Sequence, residues 1–249
     1  MLLSLYQTIF YQPVFNLLVW LYNVIPGSDI GVAIVILTII IKLILFPFSL
    51  QSIKAQRSMQ SLQPKLDALK KQYKDDREAL SREMMSLYRT EKVNPFSSCL
   101  PLLIQLPFLW AVFQVFRGEL ANTTNIALLY SFVADPGTIN MISLGFVDLA
   151  KPQIVLAVLA GLAQFWQAKS MQVKKPAKDA SGHIPAGAKD ESAMAMMNKQ
   201  MMYVMPVLTV VIGASLPGGL ALYWLVTTLL MALQQEFFIR RDAKKTALV

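Results

Sequence analysis

The chain has 249 residues, 55% of them apolar and only 15% charged, with a net charge of +8. A soluble domain carries about 25% charged residues. Here the charges crowd into a few segments between long uncharged runs, which argues against one soluble core and for membrane spans joined by polar loops. The single cysteine, Cys99, excludes an internal disulfide.

In chain order, the first charged side chain is Asp29, and the opening stretch lacks the basic start and small-residue cleavage site of a secretory signal. Thr8, Gln12, Asn16 and Asn23 recur at helical spacing as a polar face, with Tyr6, Tyr11, Trp20 and Tyr22 as interfacial residue types. Residues 1–29 therefore read as an amphipathic helix lying on the outer surface, with a sixth span as the alternative. Residues 30–50 form the first span, interrupted only by Lys42; at ~1.5 Å per residue such a helix covers one hydrocarbon thickness.

Residues 51–94 read as a cytoplasmic helical hairpin. Leu62, Leu66, Leu69 and Tyr73 make one stripe, and Leu80, Met84, Leu87 and Tyr88 a matching one. Lys74-Asp75-Asp76 separates them, and Asp75 with Glu78 has capping-box spacing for the second helix. The second span is 95–116. The loop 117–151 is long and mixed, with no assigned fold. The third span, 152–168, is short. Within the loop 169–200, the stretch from Lys174 to Ser192 is rich in Pro, Gly, Ala and Ser without apolar period, and is expected to be disordered. The fourth and fifth spans, 201–216 and 217–238, meet at Leu216-Pro217-Gly218-Gly219, a tight turn. A basic tail, 239–249, closes the chain. The fold class expected is an all-α integral membrane protein: five transmembrane helices around a hydrophilic groove, plus the cytoplasmic hairpin and the N-terminal amphipathic helix.

All but Lys42, Arg117 and Lys151 of the 23 basic side chains fall in the hairpin, the 169–200 loop or the tail. The positive-inside bias places those three segments in the cytoplasm.

Lys42 is the most informative residue. A lysine at a span centre costs about 2.5–3.5 kcal/mol on insertion scales. Snorkelling would have to reach Leu50, about 12 Å along the axis at ~1.5 Å per residue. No intramembrane carboxylate is available to pair with it, because Glu119, Asp148 and Glu236 lie outside the spans or at their ends. A hydrated cavity is the remaining environment. Thr38 lies one turn earlier on the same face, and Gln105, Gln114, Gln164, Gln167, Thr227 and Thr228 add uncharged polar groups. Each alone reads as an interhelical hydrogen bond; together they suggest a polar groove without fixed negative charge. A proton-coupled pump needs intramembrane acids or histidine, yet the one histidine, His183, lies in the 169–200 loop. No metal set, nucleophile–base pair or phosphate loop can be assembled, so neither an enzyme nor a cofactor is expected. Methionines, Met84 and Met85 among them, gather near the cytoplasmic side, as packing or as an adaptable apolar surface.

Five stretches carry a family resemblance: Thr38-Ile39-Ile40-Ile41-Lys42 with Phe46-Pro47; Leu62-Gln63-Pro64-Lys65; Glu83 to Pro107; Leu216 to Trp224; and Gln234-Gln235. In order and spacing they resemble the YidC insertase family, which includes mitochondrial and chloroplast members, over about residues 30 to 240. The resemblance implies a groove open to cytoplasm and lipid and closed to the outside, with a cation in span one. Many bacterial members have arginine where this chain has Lys42, so the charge is kept and the planar fork is not. Thr38 and Trp224 match positions along which a substrate helix is thought to slide. The large periplasmic domain of Gram-negative members and the lipobox cysteine of many Gram-positive ones are not seen.

The expected groove residues are Lys42, Thr38, Gln105, Gln164, Gln167, Tyr223, Trp224 and Thr227. Gln63, Pro64, Lys65, Met84, Met85, Tyr88, Arg240 and Arg241 are expected to contact substrate or ribosome. The implied activity is ATP-independent insertion and folding of nascent membrane proteins into the lipid bilayer. The implied partners are the ribosome, the signal recognition pathway and the Sec translocon. A small-solute transporter is the main rival, which predicts an internal repeat that is not found. A chaperone that shields spans without inserting them is the second.

Overall fold

The computed structural model describes residues 2–73, 76–94, 100–116, 128–170 and 200–246. The described residues are mostly helical. Its elements are α1 (Leu2–Tyr6), a π-helical turn (Gln7–Tyr11), α2 (Gln12–Val24), α3 (Ile30–Ile44), α4 (Phe46–Ser61), α5 (Gln63–Gln72) and α6 (Arg77–Thr90). There follow α7 (Leu100–Gln114), the strands β1 (Ile142–Ser143) and β2 (Val147–Asp148), α8 (Ile154–Ser170), a second π-helical turn (Gln200–Val204), α9 (Met205–Gly213) and α10 (Gly218–Thr246). Two compact units are present: Met1–Ile44 with Ile104–Met171 and Gln200–Val249, and Leu45–Leu103 with Gln172–Lys199.

In the first unit α3 packs on α2 and α10, and α8 packs on α9 and α10. Ala157, Ala160, Gly161 and Ala163 form the buried stripe of α8. A Cβ on Gly161 would lie 3.0 Å from the Pro206 carbonyl oxygen and 2.5 Å from Val210 Cγ2, so hydrogen alone lets α9 approach this closely. The opposite faces are apolar and exposed: Leu106 and Trp110 on α7, Val155 and Leu162 on α8, Val207 and Val211 on α9. An apolar residue turned outward in such numbers needs an apolar surrounding.

One end of this unit is tied together by the segment 128–153, the part of the loop for which the sequence offered no fold. Asn16 Nδ2 donates to the Leu128 carbonyl at 2.8 Å, and its Oδ1 accepts from Tyr130 N at 2.6 Å. Gln12 donates to the same carbonyl, Asn23 to that of Ala134, and the Tyr22 hydroxyl accepts from Asn140 N. Gln12, Asn16 and Asn23 of the polar stripe are thus satisfied by this loop, Thr8 instead donating to the Ser4 carbonyl, while Val14, Phe15, Leu18 and Val19 are buried. β1 and β2 form an antiparallel hairpin in which Ser143 opposes Val147. Beyond it, Gly218 N donates to the Lys151 carbonyl at 2.9 Å and Gly219 N to that of Leu149 at 3.0 Å. A Cβ on Gly219 would fall 2.2 Å from Phe116 Cε1, which explains glycine at the start of α10.

In the second unit Met59, Leu62, Leu66 and Tyr88 make a buried cluster on which Met84, Leu87 and Val93 pack. Both predicted stripes of the hairpin contribute. The N-cap of α6 is Asp76 rather than the expected Asp75: its extended backbone lets the carboxylate accept from Glu78 N at 3.1 Å and Ala79 N at 2.9 Å.

The 30–50 run is not one helix. α3 stops at Ile44 and α4 starts at Phe46, with Pro47 in its first turn, where a proline lacks the amide that would continue the preceding ladder. No single described helix is long and apolar enough to cross a membrane. The broken pair Ile30–Ile44 and Phe46–Gln72 passes by length and composition, and Leu103–Gln114, Ile154–Ser170 and Met202–Gly213 are shorter apolar helices.

Candidate functional site

α3 begins with Asp29, whose Oδ1 accepts from Gly31 N at 2.8 Å and Val32 N at 3.0 Å. The same carboxylate accepts from Ser143 Oγ at 2.7 Å and Leu144 N at 2.6 Å. Partial burial alone would raise the Asp29 pKa. The four hydrogen bonds outweigh it and hold the carboxyl below its ordinary value of 3.8. One side chain therefore caps a helix and clamps the β hairpin to it. This residue was missed from sequence, where Asp29 served only as the first charge.

Between two and three turns on, Thr38 is fully buried and donates to the Ile34 carbonyl at 2.7 Å, so its hydroxyl is spent within its own helix. One turn further stands Lys42, half-buried, in the last turn of α3. A cation there is favoured by the helix dipole. The break at Leu45 also removes the reason for calling Lys42 remote from a helix end. Its Nζ donates to Gln105 Oε1 on α7 at 3.1 Å and meets Met231 Sδ on α10 at 3.9 Å. Gln105 Nε2 in turn donates to the Tyr223 hydroxyl, which lies on a fully buried side chain of α10.

A chain of hydrogen bonds, Lys42 to Gln105 to Tyr223, thus links three helices, and among the described residues every partner of the cation is neutral. An ammonium has three donors, and Gln105 takes one. Thr227, one turn beyond Tyr223, is buried. Trp224 is half-buried, with its carbonyl accepting from Thr228 Oγ1 at 2.9 Å. Gln164 belongs to another contact: its Oε1 accepts from Thr209 Oγ1 between α8 and α9. The Gln167 carbonyl accepts from Ser170 Oγ. Lys42, Gln105 and Tyr223 are therefore brought together, while Gln164 and Gln167 are not part of that chain. Met231 was not foreseen, because a thioether has no polar signature in the sequence.

In the second unit Pro64 and Lys65 are exposed in the first turn of α5, Lys65 pairing with Glu91, and Gln63 is half-buried. Met85 is exposed, Met84 leans on the cluster, and Tyr88 is inside it. Tyr88 thus holds the hairpin together, with burial raising its phenol pKa. Arg240 and Arg241 fall within α10, but their side chains lie outside the described residues.

Residues 20–246 match the family described as 60Kd inner membrane protein. The membrane protein insertase YidC of Fusobacterium nucleatum is 36% identical over 216 residues, 87% of this chain and 89% of that protein. The chain belongs to the YidC family. Two further YidC insertases it resembles are longer. That of Syntrophobacter fumaroxidans is 31% identical over 93% of this chain but 38% of its own length. That of Francisella tularensis is 34% identical over 93% of this chain and 36% of its own length. The chain therefore spans little more than a third of these two YidC proteins. The crystal structure of an active YidC insertase with its first transmembrane domain resolved superposes with a TM-score of 0.57 at 26% identity, covering 92% of this chain and 45% of that one. As a YidC-family member, the chain is an inner-membrane protein by kind, which accounts for the exposed apolar faces of α7, α8 and α9.

Proposed function

We propose that this chain is a membrane protein insertase that works without ATP, through a groove around Lys42 that is open to the cytoplasm and to lipid. The observation that carries this reading is the Lys42 ammonium, half-buried and, among the described residues, answered only by Gln105 and Met231. An unneutralised cation in an apolar helix bundle is costly, and it is a ready partner for the acidic or polar flank of an incoming chain. Water and Lys42 solvate that flank. The half-buried Gln105 and Trp224 line the path, backed by the buried Thr38, Tyr223 and Thr227, and the substrate's apolar segment leaves sideways into lipid. Burial of that segment drives the step at about 25 cal/mol per Å². The short apolar helices α8 and α9 thin the bilayer locally.

In this reading the hairpin of α5 and α6, the 169–200 loop and the basic tail face the cytoplasm, following the distribution of Lys and Arg. The hairpin receives nascent membrane proteins through Met84, Met85 and the Gln63–Lys65 turn, and the tail with Arg240 and Arg241 meets ribosomal RNA by charge. The signal recognition pathway and the Sec translocon are the expected upstream and lateral partners.

The test is insertion of a single-span substrate with an acidic tail into vesicles reconstituted with the purified chain. Lys42→Arg is expected to retain most activity, while Lys42→Ala and Lys42→Glu lose most of it, Glu more severely because it repels the tail. Full insertion by both the Ala and the Glu variants would show that the charge has no part in the reaction.

A further inference from the structure

The hairpin of β1 and β2 turns through Leu144 and Gly145, with φ of 53° and 80°, and Phe146 N donates back to the Ser143 carbonyl at 3.2 Å. Two consecutive left-handed residues make the mirror-image turn that suits hairpins, and its first position ordinarily carries Asn, Asp or Gly. A leucine there costs about 1–2 kcal/mol in backbone strain. Its side chain is mostly out of contact with the protein, being 68% exposed, and Phe146 is 79% exposed. Ile142, on the strand leading in, is 47% exposed.

The turn is nevertheless rigidly based. Asp29 accepts from Ser143 Oγ and Leu144 N, and Leu149 N donates to the Met141 carbonyl at 2.8 Å. A Cβ on Gly31 would fall 2.1 Å from Ser143 Oγ, so the hairpin lies directly against α3. Polar groups flank the base, among them the Asp148–Lys151 ion pair at 3.0 Å. The chain then passes through Pro152 into α8, whose first residues, Ile154 and Val155, are themselves 66% and 69% exposed.

We propose that the Leu144-Gly145-Phe146 tip is a lipid anchor, seated in the interfacial layer of the leaflet at the end of the unit where α8 and α10 begin. The apolar tip continues the exposed start of α8 in the chain, and that helix belongs to an inner-membrane family. The ion pair at the base has the chemistry of a headgroup layer. Burial in lipid offsets the strain at Leu144 and explains why leucine rather than asparagine occupies the turn. The anchor fixes the depth and tilt of α3 through Asp29. It rests on membrane residence and is independent of insertase activity.

The test is spin-label power saturation on the full chain in phosphatidylcholine–phosphatidylglycerol vesicles. A nitroxide is placed at Phe146→Cys in a Cys99→Ser background, with Ile142→Cys as a second probe and Asn140→Cys as the aqueous reference. The expected result is a several-fold higher ratio of oxygen to nickel-chelate accessibility at 146 and 142 than at 140. Ratios at 146 and 142 equal to that at 140 overturn the proposal. A label at 146 shielded from both reagents also overturns it. If that shielding is relieved on dilution with lipid, a second copy of the chain covers the tip.

Discussion

Asp29 shows how much one side chain at a helix start can organise. Its carboxyl is held below the ordinary 3.8 by the amides of Leu144, Val32 and Gly31 and the hydroxyl of Ser143, against the opposing effect of burial. A depressed carboxyl contributes stability in full above its unfolded pKa and loses it as the pH falls through the lower folded value. The contribution is therefore present at neutral pH and fades below about pH 4. Asp29→Asn keeps one acceptor but loses the charge that strengthens these bonds, a loss of about 1 kcal/mol. Thermal unfolding of the detergent-solubilised chain is expected to show the variant less stable than the parent at pH 6, with the gap narrowing at pH 3. A gap that does not change with pH would mean that the carboxylate charge is irrelevant to the clamp. The two sites on α3 differ in kind: Asp29 is saturated with partners, whereas Lys42 keeps donor capacity, as structural and working charges would.

At the scale of elements, the α5–α6 hairpin has a core of few residues, and Leu66 is its most buried member. Deleting a buried leucine costs about 2–5 kcal/mol. In so small a cluster that loss is expected to open the hairpin without unfolding the first unit. Hydrogen exchange on the full-length Leu66→Ala chain should show lost protection in 63–90 and unchanged protection in α8 and α10. Exchange spread evenly over the chain would contradict an independently stable hairpin. The cluster was legible in the sequence because its stripes repeat at helical spacing, and Leu62, Leu66, Met84, Leu87 and Tyr88 were all read from it. The helices α7, α8, α9 and α10 were legible for a related reason: uncharged runs between charged blocks leave little freedom in where a helix runs. What could not be read depends on partners far along the chain. The partner of Asn16 lies 112 residues away, so its polar stripe read as a water-facing surface when it is a docking face for the loop. The break at Leu45 was hidden by the apolar run on either side of it, although Pro47 was in view. Within the candidate site, Lys42 and Gln105 were identified by polarity in apolar surroundings, and Tyr223 only through the family resemblance of the stretch from Leu216 to Trp224. The separation of Gln164 from them depends on how α8 meets α9, which no spacing encodes.

For the whole molecule, the proposed mechanism depends on water reaching Lys42 from one side only. Two features bear on the direction. Basic residues are concentrated in the hairpin, the 169–200 loop and the tail, and the orientation proposed above turns those segments toward the cytoplasm. Within the first unit, the end where α8 and α10 begin is tied by backbone hydrogen bonds from Gly218 and Gly219 and by the Asp29 clamp. A single cysteine at position 42, in a Cys99→Ser background, is therefore expected to react promptly with a membrane-impermeant charged thiol reagent applied from the cytoplasmic side. It is expected to react slowly with the same reagent from the outside. A cysteine at Gln72, exposed on α5, should label from the cytoplasmic side, and one at Asn140 from the outside, so the two define the limits of the assay. Prompt cytoplasmic labelling at 42 fits a hydrated path and gives the Lys42→Glu insertion defect a physical basis, since an acidic tail could reach the charge. No labelling at 42, with Gln72 reacting, would mean that the ammonium is sealed by its Gln105 and Met231 contacts. Lys42 would then serve only to cross-link α3, α7 and α10, and its replacement by Met would be expected to stabilise the bundle rather than stop insertion.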